Sequence, residues 1–175
     1  SSYKRAEIIV VTKCKKDLGE VEKQKLIKEI NPLPGQLVFF TAINYSRPYH
    51  IISKMEKGLD KKVEILLVTG IANPRPLKKL LEEHSNTYQM LQYADHHIFT
   101  IDDLKEIKQA FNKIDAGEKV ILTTEKDAVR LLKFSDEIKD LPFYVVPVRH
   151  QFLFQEESKF DQLVSDFVLN FKKED

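Results

Sequence analysis

Residues 94–99, with the sequence Ala-Asp-His-His-Ile-Phe, place an acidic side chain next to two of the five histidines of the chain. A histidine can exchange a proton near neutral pH, and a neighbouring carboxylate can fix its tautomer and raise its basicity. Asp95, His96 and His97 are therefore the strongest candidates for acid–base chemistry in the sequence. The competing interpretation is a solvated loop, because a triplet this short also arises by chance.

The flanking residues predict where this triplet lies. Residues 87–91 have the pattern of a short strand. Thr100, followed by Asp102 and Asp103, is typical of a helix cap and the first helical turn. The triplet is therefore predicted to lie in a strand-to-helix loop. In open α/β sheets, such loops at the carboxyl ends of the strands line the ligand crevice.

Three other predicted strands also end in polar residues. These residues are Thr12 and Lys13 after the first strand, Gly70 and Asn73 after the strand at 63–68, and Thr124, Glu125, Lys126 and Asp127 after the strand at 119–122. Each group also has an ordinary explanation, as a first solvated residue, a tight connection or a helix cap. Because the carboxyl ends of parallel strands open on one edge of a sheet, we expect these residues to line one shared crevice.

The composition is that of a globular domain without a bias toward nucleic acid. The chain has 175 residues and a mass of 20.4 kDa, with 42% hydrophobic and 31% charged residues. Its 28 Lys and Arg residues against 27 Asp and Glu residues give a net charge of +1, so no nucleic-acid partner is predicted. The single cysteine, Cys14, excludes an internal disulfide and fits a reducing compartment. No apolar run is long enough to predict a membrane span.

Apolar runs that alternate with helical patterns predict an α/β fold with a mostly parallel sheet. The predicted strands are residues 7–11, 37–42, 63–68, 87–91, 119–122 and 142–148, and the predicted helices are residues 18–30, 77–84, 101–114 and 128–133. The strand at 7–11 has the near-continuous apolar character of a strand that is buried on both faces. A last helix carries an apolar stripe that is expected to dock on the sheet; its residues are Phe160, Leu163, Val164, Phe167, Val168 and Phe171.

The recognised phosphate-binding and nucleophile motifs are missing from these residues. There is no G-x-x-x-x-G-K-[ST] loop, no G-x-G-x-x-G and no G-x-S-x-G elbow. If the chain belongs to a nucleotide-using enzyme, its phosphate loop is expected to lie outside the 175 residues.

Five segments, taken together and in order, resemble the carboxy-terminal half of the tetraacyldisaccharide 4'-kinase family, the lipid A 4'-kinases of Gram-negative bacteria. The segments are RAEIIVVTKC at 5–14, FTAINY at 40–45, LVTGIANP at 67–74, DHHIF at 95–99 and LTTEKDAVRL at 122–131. Each segment alone is a weak signal, but their order and spacing together are specific. The resemblance covers most of the chain.

The resemblance implies a fold similar to two α/β/α lobes that face a cleft and are joined by a two-stranded link. This chain would then be a three-layer α/β/α sandwich that lacks the phosphate-loop lobe. Residues 1–36 would be a remnant of the amino-terminal nucleotide-binding lobe, residues 37–62 a linker strand and irregular segment, and residues 63–175 the carboxy-terminal lobe. The link is expected to include residues 39–49 and the strand at 63–68.

The resemblance also implies an activity. The family transfers the γ-phosphoryl group of ATP, with Mg2+, to the 4'-hydroxyl of a tetraacylated glucosamine disaccharide phosphate on the cytoplasmic face of the inner membrane. ATP, Mg2+ and the membrane surface would be bound mainly by the missing amino-terminal lobe, so the chain alone is expected to be inactive. His96 would assist an aspartate of that lobe that acts as the base, Asp95 would orient His96, and His97 is the second candidate. The other polar loops would line the nucleotide or substrate side of the cleft.

Two alternatives from other functional classes remain open at this point. The first is a metal-dependent phosphoesterase built around the Asp-His-His triplet, although no complete metal site is predicted, because His50, His84 and His150 lack convincing carboxylate partners. The second is a non-catalytic α/β interaction domain in which the polar loops only cap helices.

Overall fold

The computed structural model describes residues 2–84 and 87–171. The chain forms two compact units, of which the first contains Ser1–Asn44 and Arg149–Asp175 and the second contains Tyr45–Val148. The chain therefore enters the second unit after the second strand and returns to the first unit near the end of the sequence.

Strands and helices alternate along the chain, as predicted. In chain order, the elements are a 3-10 helix (Ser2–Arg5), β1 (Ile8–Cys14), α1 (Glu20–Ile30), β2 (Leu37–Tyr45), β3 (Tyr49–His50), β4 (Glu64–Thr69), α2 (Arg75–His84), β5 (Tyr88–Gln92), α3 (Ile101–Lys113), β6 (Lys119–Thr124), α4 (Glu125–Leu131), a 3-10 helix (Leu132–Phe134), α5 (Ser135–Ile138), β7 (Phe143–Val146), β8 (Val148–Phe152) and α6 (Glu157–Asn170). The single strand predicted at 142–148 is in fact β7 and the start of β8. Pro147 lies between the two strands and has no N–H to donate to a ladder.

The first unit contains a three-stranded sheet in the order β1-β2-β8, in which β1 runs parallel to β2. The prediction that β1 is buried on both faces is wrong. None of its residues is fully buried, and Val10 is 38% exposed. The reason is that β1 is an edge strand, so its apolar sequence is not covered on both sides within this unit.

Helix α6 docks on the first unit by only part of its predicted stripe. The Phe160 ring packs edge-to-face against Phe39, with ring centroids 5.4 Å apart, and also packs against Phe152 at 4.7 Å. Farther along, Phe167 and Val168 are 61% and 65% exposed, and Phe171, just after the helix, is 64% exposed. The prediction that the whole stripe docks is therefore wrong for its second half.

The second unit contains a five-stranded sheet in the order β3-β7-β6-β4-β5. The pairs β4–β5, β4–β6 and β6–β7 are parallel, and only the short β3 pairs antiparallel, with β7. The prediction of a mostly parallel sheet is confirmed. In register, Thr69 of β4 pairs with Gln92 of β5, and Thr124 of β6 pairs with Val146 of β7. The carboxyl ends of these four strands therefore lie at the same edge of the sheet.

Alternate residues of β4 supply two hydrophobic cores, one on each face of this sheet. Leu66 and Val68 belong to a core with Ile107 and Phe111 of α3. On the opposite face, Ile65 and Leu67 belong to a core with Leu77 and Leu81 of α2. Because helices cover both faces of the sheet, the strand ends at its edge are held in place by packed elements.

The compact units divide the chain differently from the predicted boundaries. Residues 37–44 and 149–175 belong to the first unit, whereas residues 45–62 belong to the second. The polar composition of residues 44–62 suggests a linker, but β3 lies in this segment and Ile51 is fully buried in the core. The strand at 63–68, which was expected to contribute to the link, is β4, which pairs with β5 and β6 inside the second sheet.

Candidate functional site

The Asp-His-His loop (residues 95–97) connects β5 to α3, as predicted, and hydrogen bonds tie it to the end of β4. The N–H of Tyr93 donates to the carbonyl oxygen of Thr69 at 2.8 Å, and the N–H of His96 donates to that of Gly70 at 3.2 Å. His96 has a φ of 61°, in the left-handed region that histidine adopts more readily than most residues. The loop is therefore anchored at the carboxyl edge of the second sheet.

His97 points into the protein and is held by three neighbours. Its ring stacks on Tyr93, with centroids 4.6 Å apart and planes at 20°, and meets the edge of Phe99 at 5.1 Å. Its Nε2 lies 2.9 Å from Oδ2 of Asp103. Phe99 is fully buried, and the Tyr93 hydroxyl donates to Glu106 of α3 at 2.9 Å. These contacts make His97 a link between the loop and the start of α3.

The same Asp103 closes the predicted cap of α3. Thr100 and Asp103 form a reciprocal capping box, in which the Thr100 hydroxyl accepts from the Asp103 N–H and Asp103 accepts from the Thr100 N–H. Burial raises the pKa of Asp103, but the hydrogen bonds from His97 and Thr100 outweigh it, so the pKa lies below its ordinary value. Asp103 thus fixes both the helix end and the His97 ring.

His96 points outward into a group of charged side chains. Its side chain is 70% exposed, and its Nε2 lies 3.5 Å from Oδ2 of Asp95 and 3.4 Å from Nζ of Lys126. Its Nδ1 lies 3.3 Å from a guanidinium nitrogen of Arg130. Lys126 also donates to Oδ1 of Asp95 at 3.0 Å, and this hydrogen bond is the largest factor that holds the pKa of Asp95 below its ordinary value. We call Asp95, His96, Lys126 and Arg130 the His96 cluster.

Asp127 supports this cluster from below the surface. Its side chain is fully buried. Its carboxylate accepts from the hydroxyl of Thr69 at 3.3 Å, the N–H of Gly70 at 3.0 Å and the hydroxyl of Thr124 at 2.8 Å. Arg130 donates to its other oxygen at 3.3 Å. Asp127 therefore joins the ends of β4 and β6 to the guanidinium group that touches His96.

Gly70 allows the Asp-His-His loop to lie close to β4. A Cβ atom at this position would be 3.1 Å from the carbonyl oxygen of Ala94, 3.3 Å from Cβ of His97 and 3.4 Å from Oδ1 of Asp127. Any larger residue would press on the loop and on its buried anchor. The group that approaches Gly70 most closely is the backbone of Ala94, directly before this loop.

The structure brings some of the other predicted site residues together and leaves others apart. Thr124, Glu125 and Lys126 line a cavity of about 300 Å3 at the ends of β6 and β7, and Glu125 accepts from the N–H of Val148 at 2.9 Å. Asn73 is exposed and caps the turn before α2 by accepting from the Arg75 N–H at 3.2 Å.

Thr12 and Lys13, which were expected to line the same crevice, lie in β1 of the first unit. The His96 cluster and its anchor lie entirely in the second unit. The shared crevice therefore remains a prediction for Thr12 and Lys13.

The phosphoesterase hypothesis requires further metal ligands around the triplet. Within residues 2–84 and 87–171, no group of three or more His, Cys, Asp or Glu side chains is arranged to hold a metal ion. The side chain of His84 lies outside the described part of the structure. The groups that surround His96 are instead the cations Lys126 and Arg130, which suit an anionic ligand better than a second cation.

Comparison with known families shows which family the chain belongs to. The family model described as tetraacyldisaccharide-1-P 4'-kinase, LpxK, matches residues 1–168. The chain belongs to this 4'-kinase family. The resemblance stated from the five sequence segments is thus confirmed.

Curated 4'-kinases are similar to the chain over nearly all of its length. A tetraacyldisaccharide 4'-kinase of Phocaeicola vulgatus is 35% identical over 170 residues, which cover 94% of this chain and 46% of the relative. Another, of Bacteroides thetaiotaomicron, is 33% identical over 94% of this chain and 47% of its own length. The chain therefore spans about half the length of the curated 4'-kinases that it matches.

A solved structure of the family has a similar fold. It is the LpxK of Aquifex aeolicus, described as an "apo" form in complex with ATP, and it matches with a TM-score of 0.52 at 15% identity. The match covers 91% of this chain and 51% of that protein. The predicted α/β fold class is confirmed by this likeness.

Membership in the 4'-kinase family favours a kinase over the two alternatives, the phosphoesterase and the interaction domain. Thr100 and Thr124 do cap α3 and α4, as the interaction-domain hypothesis requires. Capping does not explain why Lys126 and Arg130 converge on His96. None of the helices in the described part of the chain is both long and apolar enough to cross a bilayer.

The sequence alone did not assign Arg130, Tyr93 or Asp103 to the candidate site. Arg130 could have been found, because residues four apart on a helix share a face and Lys126 was already a candidate. Tyr93 and Asp103 carry no comparable signal. Their part in the site depends on the folded loop, in which the His97 ring lies against Tyr93 and bonds to Asp103.

Proposed function

We propose that the chain is part of an ATP-dependent lipid kinase that phosphorylates the 4'-hydroxyl of tetraacyldisaccharide 1-phosphate in lipid A biosynthesis. The observation that carries this proposal is the family match across residues 1–168. The chain would provide the carboxy-terminal part of the enzyme. The phosphate-binding lobe would come from sequence outside the 175 residues, since no phosphate-loop motif occurs within them.

The residues of this chain are better suited to contact the phosphate groups of a ligand than to bind a metal ion. Lys126 and Arg130 are permanent donors that could contact anionic oxygens, and their distances to His96 place this positive charge at the exposed loop. Bound ATP would supply the phosphoryl group, and Mg2+ would offset its charge. Both would be held mainly by the missing amino-terminal lobe.

Within this enzyme, His96 is the acid–base candidate and His97 is a structural residue. The His96 side chain is 70% exposed, whereas His97 is 26% exposed and already bonded to Asp103. His96 would donate a hydrogen bond to a carboxylate of the missing lobe that accepts the proton of the sugar hydroxyl. Asp95, 3.5 Å from Nε2, would orient the imidazole ring.

The remaining polar groups at this edge would line the nucleotide or substrate side of the cleft. The carboxyl ends of β4 and β6 carry Gly70, Asn73, Thr124 and Glu125, of which Thr124 is the last residue of β6 and the others follow the strands. In open α/β sheets this edge is where ligands bind. Asp127 would act there only through its partners, because its own side chain is fully buried.

The acylated disaccharide and the membrane would be contacted mainly by the rest of the enzyme. We place the full-length protein on the cytoplasmic face of the bacterial inner membrane. Sedimentation of the full-length protein with inner-membrane vesicles would support this location, and recovery of all of it in the supernatant would contradict it.

The proposed reaction is tested with the full-length protein, ATP labelled at the γ-phosphate, Mg2+ and tetraacyldisaccharide 1-phosphate. We expect label in the lipid product, with the new phosphate on the 4'-oxygen by 31P NMR. A parallel reaction with a disaccharide already phosphorylated at this position is the control and should incorporate no label. ATP consumption without lipid phosphorylation would contradict the proposal.

A further inference from the structure

The His96 ring is contacted on its Nδ1 side by a group that can only donate hydrogen bonds. A guanidinium nitrogen of Arg130 lies 3.3 Å from this atom. Arginine stays protonated in proteins and has no acceptor. A hydrogen bond at this distance therefore requires that Nδ1 carries a lone pair and not a proton.

Arg130 is held in this position by a buried partner. Its other terminal nitrogen donates to Oδ1 of Asp127, which is fully buried and is itself bonded to Gly70 and Thr124. The Arg130 side chain is 25% exposed, less than the 42% of Lys126. The guanidinium is thus fixed by the ends of two strands, whereas Lys126 is the more exposed cation.

The contacts around His96 favour one arrangement of its ring proton. If the proton is on Nε2, it faces the Asp95 carboxylate, and Arg130 donates to Nδ1. Lys126 lies 3.4 Å from Nε2 but has a closer acceptor, because it donates to Asp95 at 3.0 Å. If the proton is on Nδ1 instead, it faces the Arg130 N–H with no acceptor between them. That arrangement loses the hydrogen bond from Arg130 and sets two donors against each other.

We propose that Arg130, anchored by Asp127, is a positioning residue that holds neutral His96 in the tautomer with its proton on Nε2. The charged groups that face His96 are Asp95 from its own loop and Lys126 and Arg130 from α4, with Asp127 behind Arg130. The inferred tautomer rests on these contacts. Its consequence for turnover rests on the proposed function, because it puts the ring proton on the exposed Nε2, where Asp95 and a reacting carboxylate would compete as its acceptor.

The tautomer is measured by long-range 1H–15N correlation of the full-length protein labelled with 15N in its histidine rings. The His96 signals are assigned with His96→Asn, since asparagine also tolerates the positive φ at this position. We expect the neutral wild-type ring to show the Nε2–H pattern. If the neutral His96 ring of the wild type carries its proton on Nδ1, the proposal is overturned, and no Arg130 variant is needed to show this.

Two substitutions test whether Arg130 holds His96 in this tautomer. Arg130→Met removes the donor, and we expect it to give a mixture of tautomers and to lower kcat by a factor of about 10–100, less than the about 10²–10⁴-fold of an acid–base group itself. KM for ATP separates the two possible effects of this variant, because loss of tautomer control alone leaves KM within about twofold, whereas loss of a phosphate contact raises it. Arg130→Lys keeps a donor and should retain the Nε2–H tautomer and most of kcat.

Lys133→Met is the matched control, because Lys133 is an exposed cation in the turn after Arg130 whose ammonium lies over the Phe134 ring. It should change neither the tautomer nor kcat.

An unchanged tautomer in Arg130→Met would overturn the inference even if its activity fell. A changed tautomer in an enzyme that His96→Asn leaves fully active would support the inference and would contradict the proposed function of His96.

Discussion

At the scale of single residues, the two adjacent histidines differ because their neighbours differ. His97 is enclosed by the Tyr93 ring, the Phe99 edge and the Asp103 carboxylate. His96 takes a positive φ and turns its ring outward to Lys126 and Arg130. Two consecutive residues of one type therefore have different surroundings, since one is enclosed within the loop and the other is turned toward the cations of α4.

We expect His97→Ala to lower the free energy of unfolding by about 1–3 kcal/mol, because it removes a ring stack and a hydrogen bond to a carboxylate. His97→Phe keeps an aromatic ring beside Tyr93 and should lose less. Urea unfolding of the two variants and the wild type measures the difference. If His97→Ala were as stable as the wild type, the assignment of His97 as a structural residue would be wrong.

The pKa of Asp103 predicts how stability depends on acid pH. Because this pKa is lower in the folded protein than its ordinary value of 3.8, the ionised carboxylate stabilises the fold above that value. The contribution is lost as the pH falls through the folded pKa. We therefore expect the stability difference between the wild type and Asp103→Asn to shrink as the pH falls below about 4.

Chemical denaturation from pH 7 to pH 3 checks this dependence on Asp103. Asp102→Asn is the control, because Asp102 is the neighbouring carboxylate and its side chain is 87% exposed in an ion pair with Lys105. An exposed pair of this kind contributes little, so the control should lie close to the wild type. A constant difference between the wild type and Asp103→Asn at every pH would contradict the prediction.

The sequence predicted the Asp-His-His loop and the cap of α3, since both depend on neighbours in the chain. It could not choose between His96 and His97. That choice depends on the positive φ at His96 and on the place of Tyr93 beneath His97, and neither follows from residue types. The buried position of Asp127 was also not predictable, because a helix-capping role and a core anchor use the same residue type.

At the scale of secondary-structure elements, the site depends on how closely the loop after β5 packs on the end of β4. The atoms that would meet a Cβ at Gly70 cannot move freely. The Ala94 carbonyl accepts from the His97 N–H at 3.1 Å, and His97 is held by Tyr93 and Asp103. The register between β4 and β5 therefore sets the position of His96.

We expect Gly70→Ala to destabilise the protein by about 1–3 kcal/mol, the usual cost of excess volume at a packed position. It should also reduce turnover, because the displaced loop carries His96. Gly117→Ala is the matched control, since nothing lies within 4 Å of a Cβ at that position. Thermal unfolding and kinase assays of both variants measure these effects. Equal stability of the two variants would contradict the close packing at Gly70.

Elements with strong local periodicity were predicted well from the sequence. The predicted helix at 101–114 is α3 at Ile101–Lys113, and the predicted strand at 119–122 lies within β6 at Lys119–Thr124. The burial of β1 and α6 was predicted less well. Apolar residues there indicated a core, but the covering of an edge strand or of a terminal helix depends on which other elements lie beside it.

At the scale of the whole molecule, the chain is divided into two units, of which one is not contiguous in sequence. Arg149–Asp175 joins the unit of Ser1–Asn44, whereas the segment Tyr45–Val148 forms its own unit. Sequence reasoning assumed contiguous domains and placed one boundary in a polar segment. The return of β8 to the sheet of β1 and β2 is a long-range pairing that local composition does not indicate.

We expect the 175-residue chain by itself to phosphorylate no lipid, since it contains the His96 cluster but no recognised phosphate loop. The assay is transfer of γ-phosphate from ATP to tetraacyldisaccharide 1-phosphate, with the full-length protein as the positive control. Product formation by the 175-residue chain alone would contradict the proposal that a further lobe supplies the phosphate-binding residues.

The most direct test of the account is the turnover of full-length His96→Asn and His97→Phe with ATP, Mg2+ and tetraacyldisaccharide 1-phosphate. We predict that His96→Asn lowers kcat by about a hundredfold or more, within the usual range for acid–base groups, while it unfolds at the same temperature as the wild type. His97→Phe should keep turnover within about tenfold. Wild-type turnover in His96→Asn, or the larger loss in His97→Phe, would contradict the assignment of His96 as the catalytic group.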